Sequence, residues 1–352
     1  MRCWCVLGLV AGCGFSPPAA ALNGDATGSG SDAGSGSATG TRTLTVDLGN
    51  TNDELDGFTI LVKLDASRVD YAAVPDPQHG FTFTVQGSAP LAYEVDHWDP
   101  SGTSALWVRL PNVAANAKPV VTMAFGSGMT AADPFATWNG FTQVLHFDSL
   151  PLGDSAGGSY PPTANAMVSA APGGQIGSAG GFVNGARVSF ANSQMLYDHW
   201  PSFTLGFWLY ADYAANTTSA NPASVMGRGG GLDDGQINFG IPTSFGITFN
   251  FDGGISQSFT PLLPISFRTW VYLAYTYDGV HSTLTGYANA IPLQSNILVG
   301  PKLSLDSSDM FTLGTQLNGS IDEFELDQSV RKGDWVPAQF KSQSDQAITF
   351  SP

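Results

Sequence analysis

The chain has 352 residues, room for one large or two ordinary domains, and 43% of them are hydrophobic, enough for substantial cores. Only 12% are charged, 13 Lys and Arg stand against 29 Asp and Glu, and the formal net charge is −16. Without clustered cations to displace counterions from phosphate, nucleic-acid binding is excluded; adsorption of the folded part to an anionic lipid surface is equally disfavoured. Gly 42, Pro 22 and Phe 22, with no long segment of helical period, describe turns and aromatic strands, and hence an all-β protein.

In chain order, Arg2 supplies a short positive region and Val6 to Val10 an apolar run too short to span a bilayer. The sequence Leu9-Val10-Ala11-Gly12-Cys13 resembles the bacterial lipobox. That resemblance implies an exported lipoprotein in which residues 1–13 form the signal segment and Cys13 is the lipidated cysteine. Gly14 does not look like the aspartate that retains such proteins in the inner membrane, so the outer membrane is expected. Cleavage after Ala19-Ala20-Ala21 is the alternative. Cys3 and Cys5 would leave with the signal, so the mature body holds no thiol and no disulfide. Residues 14–41 are a Gly/Ser/Ala tether. As a random coil of about 28 residues it averages about 30 Å end to end.

Residues 42–135 read as a first β-sandwich. TRTLTVDLG, FTILVKLDAS, FTFTVQ, LAYEVDHW, SALWVRLP and PVVTMAFG are strand-like runs at about ten-residue spacing. The unbroken FTILVKL predicts a strand buried on both faces. In Tyr93-Glu94-Val95-Asp96-His97-Trp98-Asp99, two carboxylates stand two residues apart on one strand face, about 7 Å from each other. Paired carboxylates at such distances serve glycoside hydrolysis. A sandwich glucanase adds a third acid on the same face, whereas Asp99 alternates to the other. The competing reading is a solvated strand face with Trp98 in the core, and His97 as a structural residue without an acid partner. The runs GFTILVKLDAS, LAYEVDHWDPSGTSALWVRLPNV and VVTMAFGS together resemble the bacterial domain of unknown function 2341, with Phe125-Gly126 replacing that family's terminal tyrosine-glycine. The resemblance implies an envelope location and a partner domain more than a chemistry.

Residues 136–352 read as a second β-sandwich, closing with the one short helix expected, in RKGDWVPAQFKSQ, where Trp335 and Phe340 pack back on a sandwich. FTLGFWLYAD, RTWVYLAYTYDG with YANA, and GSIDEFELDQSVRKGDWVPAQF are similar to concanavalin A-like, laminin-G-like jelly rolls. Asp278-Gly279 suits that family's hairpin turn; Asn289-Ala290 stands where its asparagine-glycine is usual, which weakens that second turn. Such jelly rolls bind calcium or glycans at one loop edge. The resemblance implies Ca2+ held by Asp154 and Asp322; the alternative is that Asp154 caps a turn and Asp322 bonds backbone. Tyr197, Trp200 and Trp208 could stack on sugars or fill the core. The five His form no cluster, and no zinc-ligand spacing, phosphate loop or catalytic triad is readable.

The sequence therefore predicts two tandem β-sandwiches after a signal and tether, in a non-enzymatic, lipid-anchored surface protein. Its jelly roll would bind a polysaccharide or a surface protein. A glycan hydrolase using Glu94 and Asp96 is one alternative, and a purely structural envelope component is another.

Overall fold

The structure, a computed structural model, describes residues 37–158, 160–183, 185–191, 202–212, 223–228, 237–240, 246–251, 255–259, 267–297, 311–314 and 317–352. Cys13, most of the tether, Tyr197 and Trp200 lie outside the described residues. Gly36–Pro352 forms one compact unit.

The first strands are β1 (Ser37–Val46), β2 (Thr59–Leu64), β3 (Phe81–Val85), β4 (Tyr93–His97), β5 (Ser104–Arg109) and β6 (Val120–Ser127). After the helical turn α1 (Pro134–Thr137) come β7 (Gln143–Leu145), β8 (Pro162–Ala164), β9 (Ser169–Pro172), β10 (Ser178–Phe182), β11 (Val188–Phe190) and β12 (Ser202–Ala211). β13 (Ala223–Arg228), β14 (Ile237–Gly240), β15 (Gly246–Phe251), β16 (Ile255–Phe259), β17 (Val271–Asp278), β18 (Thr283–Ala288) and β19 (Ile291–Ile297) follow. β20 (Phe311–Leu313), β21 (Gly319–Asp327), helix α2 (Trp335–Gln343) and β22 (Ile348–Ser351) complete the order.

Among the described residues these strands make four sheets. Sheet I runs β22-β1-β6-β3 and sheet II β2-β5-β4. Sheet III runs β19-β18-β17-β12-β21-β10-β9, with β7 also on β21, and sheet IV runs β16-β15-β14-β13-β20-β11-β8. All of the pairings in sheet III are antiparallel.

Hydrophobic alternation assigns the layers. Val46, Phe83 and Met123 of sheet I meet Ile60, Leu106 and Tyr93 of sheet II in one core. Phe207, Tyr275 and Phe324 of sheet III meet Val188, Phe190 and Leu313 of sheet IV in another. The other face of sheet II is not solvated: Leu61, Ala105 and Trp107 pack on Trp138, Val144 and Ile176. The sheets thus stack I–II–III–IV, and β2 and β5 are buried on both sides, as the unbroken apolar run FTILVKL implies.

Helix α2 wedges between the two sandwiches. Trp335 enters the first core, edge-on to Phe58 at 4.8 Å, while Phe340 lies 5.7 Å from Trp208 on sheet III. Its middle is polar for a reason: Gln339 and Gln343 both donate to the buried Glu325 carboxylate at 2.8 Å.

Two expectations are corrected. A division at residue 135 places the tail with the second sandwich, yet β22 pairs with β1, Leu44 opposite Phe350, so these late residues complete the first. Besides α2, the chain forms α1 and single turns at Tyr71–Ala73 and Pro77–His79, each opened by an aspartate that caps it. The turn at Asn289-Ala290 does form the hairpin between β18 and β19, with both residues at positive φ, 47° and 66°; Ala290 takes this left-handed backbone at a cost that glycine would avoid, in keeping with the weakened turn expected there.

Candidate functional site

The polar side chains of β4 do not face water. Between Val95 and His97 the register with β5 shifts, leaving Asp96 opposite no residue. Alternation sets Glu94 and Asp96 on one face, here toward sheet III, and the bulge shifts the pairing only beyond them, setting His97 opposite Ala105. Glu94 is 7% exposed, and the Asp96 side chain is 1% exposed. The expected solvated strand face is therefore corrected: burial between sheets II and III replaces it. Trp98 does pack against the first core, as expected.

The second sandwich brings the partners. On β21 a register shift against β12 coincides with a positive φ of 50° at Glu323. The strand's alternation slips by one residue there. Ile321, Phe324 and Leu326 enter the sheet III–IV core, while Asp322, Glu323, Glu325 and Asp327 are buried outside it. β7 contributes His146, one residue past its end.

His146 is the centre of the cluster. Its Nε2 lies 3.1 Å from Glu94 Oε2, and its Nδ1 lies 2.6 Å from Glu323 Oε2. Asp96 Oδ2 stands 3.7 Å from the same Nδ1. Trp138 Nε1 and Ser155 Oγ donate to the two oxygens of Glu94, each at 2.5 Å, and Trp107 Nε1 donates to Asp96 at 3.2 Å. Asp96, His146 and Glu323 each offer one ligand atom, and these atoms all lie within 4.8 Å of one another.

Electrostatics follow from burial. Desolvation alone would push the His146 imidazole down, but the charges of Asp96, Glu323 and Glu94 overcome it and hold the group well above its ordinary range. Burial pushes Glu94 up, and His146 with its other donors brings it below its ordinary value. Asp96 and Asp322 are pushed well up by burial, and Glu323 and Glu325 each to about 8 for the same reason. Asp327 has its own cation in Arg331. The layer between the sandwiches thus holds more carboxylates than cations.

The residues proposed for calcium are placed differently. Asp154 Oδ1 accepts from the amides of Val144 and Ala156, and Oδ2 from Gly158 N and Gln143 Nε2, at 2.9–3.3 Å. Asp322 accepts from Ile176 N at 3.0 Å and Glu323 N at 3.1 Å. Both carboxylates are occupied by backbone donors, the arrangement of the turn-capping alternative. The atoms that do converge belong to Asp96, His146 and Glu323. Asp148, unremarked in the sequence, stands 3.7 Å from His97, so His97 has the acid neighbour that its sequence context did not reveal. Trp208 is 3% exposed and donates to Gln343, so it fills the core instead of offering a stacking face.

These sheets define an all-β protein of stacked sandwiches that contains a concanavalin A-like, laminin-G-like domain: residues 182–336 match the family described as the concanavalin A-like lectin/glucanases superfamily. Among solved structures, the chain is similar to domain 4 of AbnA, a GH43 extracellular arabinanase from Geobacillus stearothermophilus in complex with arabinotriose. Identity is 18% and the TM-score 0.46, over 59% of this chain and 98% of that one. It is also similar to the binding domain of Paraclostridial Mosquitocidal Protein 1, at 13% identity and a TM-score of 0.48 over 58% of this chain and 52% of that one. For the botulinum neurotoxin serotype G binding domain the identity is 15% and the TM-score 0.46, over 57% of this chain and 50% of that one. The chain spans about half the length of these toxin domains. No curated protein matches.

Proposed function

We propose that this is a non-enzymatic, ligand-binding protein of the bacterial envelope, whose concanavalin A-like domain binds a carbohydrate. One observation carries the non-enzymatic part. Glu94 and Asp96, the pair suited to glycoside hydrolysis, are sealed between sheets II and III and engaged by His146, Trp138 and Trp107. A hydrolase needs both carboxyls on either side of a glycosidic bond, with room for the sugar. The match of residues 182–336 to a lectin and glucanase superfamily supports carbohydrate as the ligand class. The lipobox at Cys13 and the likeness to the domain of unknown function 2341 support tethering at the outer membrane.

The test probes a glycan array with the full chain, in calcium and in chelator, beside assays for sugar release from the same glycans. Binding without release is the expected result. Sugar release that Glu94→Gln abolishes would overturn the reading in favour of a hydrolase. An empty array with a stable envelope-protein complex would favour a structural role. Palmitate labelling lost in Cys13→Ser checks the anchor; labelling that persists would refute it.

A further inference from the structure

Glu323 carries an unmet need. Its side chain is fully buried, one oxygen faces His146, and the other, Oε1, has no hydrogen-bond partner. A buried carboxylate oxygen left bare costs about 1–3 kcal/mol or more, so its retention calls for a ligand. The surroundings narrow its chemistry. Asp96, His146 and Glu323 converge from two sandwiches, with Glu94 on the far side of the imidazole. The nearest other cations are committed elsewhere: Arg331 pairs with Asp327, and Lys63 donates to Gln175 O.

We propose that Asp96, His146 and Glu323 bind a divalent transition-metal ion of the zinc class, which clamps the first sandwich to the second. His146 would ligate through Nδ1, Asp96 through Oδ2 and Glu323 through its carboxylate, whose Oε1 has no other partner, with a water as the fourth donor. One imidazole nitrogen with carboxylate oxygens suits zinc, whereas calcium takes six to eight oxygens. Bonds of about 2.1 Å give a tetrahedral edge of about 3.4 Å. The Nδ1 atom stands 3.7 Å from Asp96 and 2.6 Å from Glu323, and the three ligand atoms lie within 4.8 Å of one another, so ligation asks the Glu323 carboxylate to withdraw from Nδ1 by about 1 Å.

The surrounding shell is already built. Metal ligation by a histidine is ordinarily supported by a carboxylate that accepts from its other ring nitrogen. Glu94 occupies that place at 3.1 Å from Nε2, and it is itself fixed by Trp138 and Ser155. Trp107 orients Asp96 in the same way. Glu94 is thus a positioning residue for His146, and the ion would balance carboxylates that His146 alone does not.

The experiment uses the full chain, dialysed against zinc and then against metal-free buffer. Bound metal is measured by mass spectrometry and Tm with and without chelator. The expected result is one zinc per chain, with chelator lowering Tm by several degrees. Asp96→Asn and Glu323→Gln should lose the ion, and Glu94→Gln should weaken binding about 10- to 100-fold. Cobalt in place of zinc should give the intense visible absorption of a four-coordinate site, a readout on the unmutated chain that needs no variant to fold. No stoichiometric metal, a Tm indifferent to chelator, or a six-coordinate cobalt spectrum would each overturn the proposal. So would an ion retained by both Asp96→Asn and Glu323→Gln, or an equal Tm gain with calcium.

Discussion

Trp138 offers the sharpest test of the join between the sandwiches. It is fully buried, with ring centroids 5.1 Å from Trp107, 5.2 Å from Phe141 and 5.6 Å from His146. Its Nε1 also donates to Glu94 at 2.5 Å. Trp138→Ala removes a large side chain from the sheet II–III layer, a change that costs about 3–5 kcal/mol. Trp138→Phe keeps most of the ring but drops the donor to a buried carboxylate, at about 1–3 kcal/mol. Against a total stability of about 5–15 kcal/mol, the first loss is large. Urea unfolding followed by far-ultraviolet circular dichroism and by tryptophan fluorescence measures both. The two probes should coincide in the parent and separate in Trp138→Ala, because the layer that couples the sandwiches is breached. A loss below about 1 kcal/mol in Trp138→Ala, or equal losses in both variants, would refute the packing argument.

Two further outcomes follow from local geometry. Gly314 has a φ of 80°, and a Cβ there would fall on the Phe182 ring. Gly314→Ala should cost about 2–4 kcal/mol from left-handed backbone and overpacking together, read as a lowered urea midpoint; an unchanged midpoint would refute it. Asp47 is held well below the usual carboxylate range, first by Lys118 and then by the Gly49 amide and Lys341 of α2. Its contribution is complete above the unfolded value near 4 and is lost as pH falls through the lower folded value. Because the side chain is 39% exposed, screening limits that contribution to under about 1 kcal/mol. Asp47→Asn should shallow the acid limb of stability against pH and leave its slope above pH 5 unchanged; an unaltered acid limb would count against the pairing.

Much of the architecture was legible because strand alternation and turn residues are local signals. The jelly-roll strands, the double burial of β2 and the anchoring of α2 by Trp335 and Phe340 all follow from such patterns. The stacking of sheet II on sheet III was not legible, because Leu61 and Trp107 occupy a face that alternation alone cannot assign to a partner. The cluster failed for a related reason. Acids on a strand ordinarily face solvent, and nothing local to Glu94 and Asp96 signals the partners that bury them. Those partners, His146 and Glu323, lie 52 and 229 residues from Glu94, and no local pattern links them. One signal was present. In GSIDEFELD the alternation breaks at the Asp322-Glu323 doublet, which is where the bulge forms. The acid neighbour of His97 is equally remote in sequence: Asp148, which the fold supplies from the loop after β7.

The pairing of β1 with β22 also sets an order of events during synthesis. Thr43 and Ser351 are neighbours across 308 residues of chain. Sheet I cannot be completed, nor Phe58 covered by Trp335, until the whole jelly roll has been made. The first strands to emerge are therefore among the last to be closed. During synthesis they stand as a half-built sandwich with an open edge, in a topology of long-range pairings that folds slowly. A nascent chain halted before residue 335 would hold its first 135 residues unfinished, dependent on chaperones until the rest arrives.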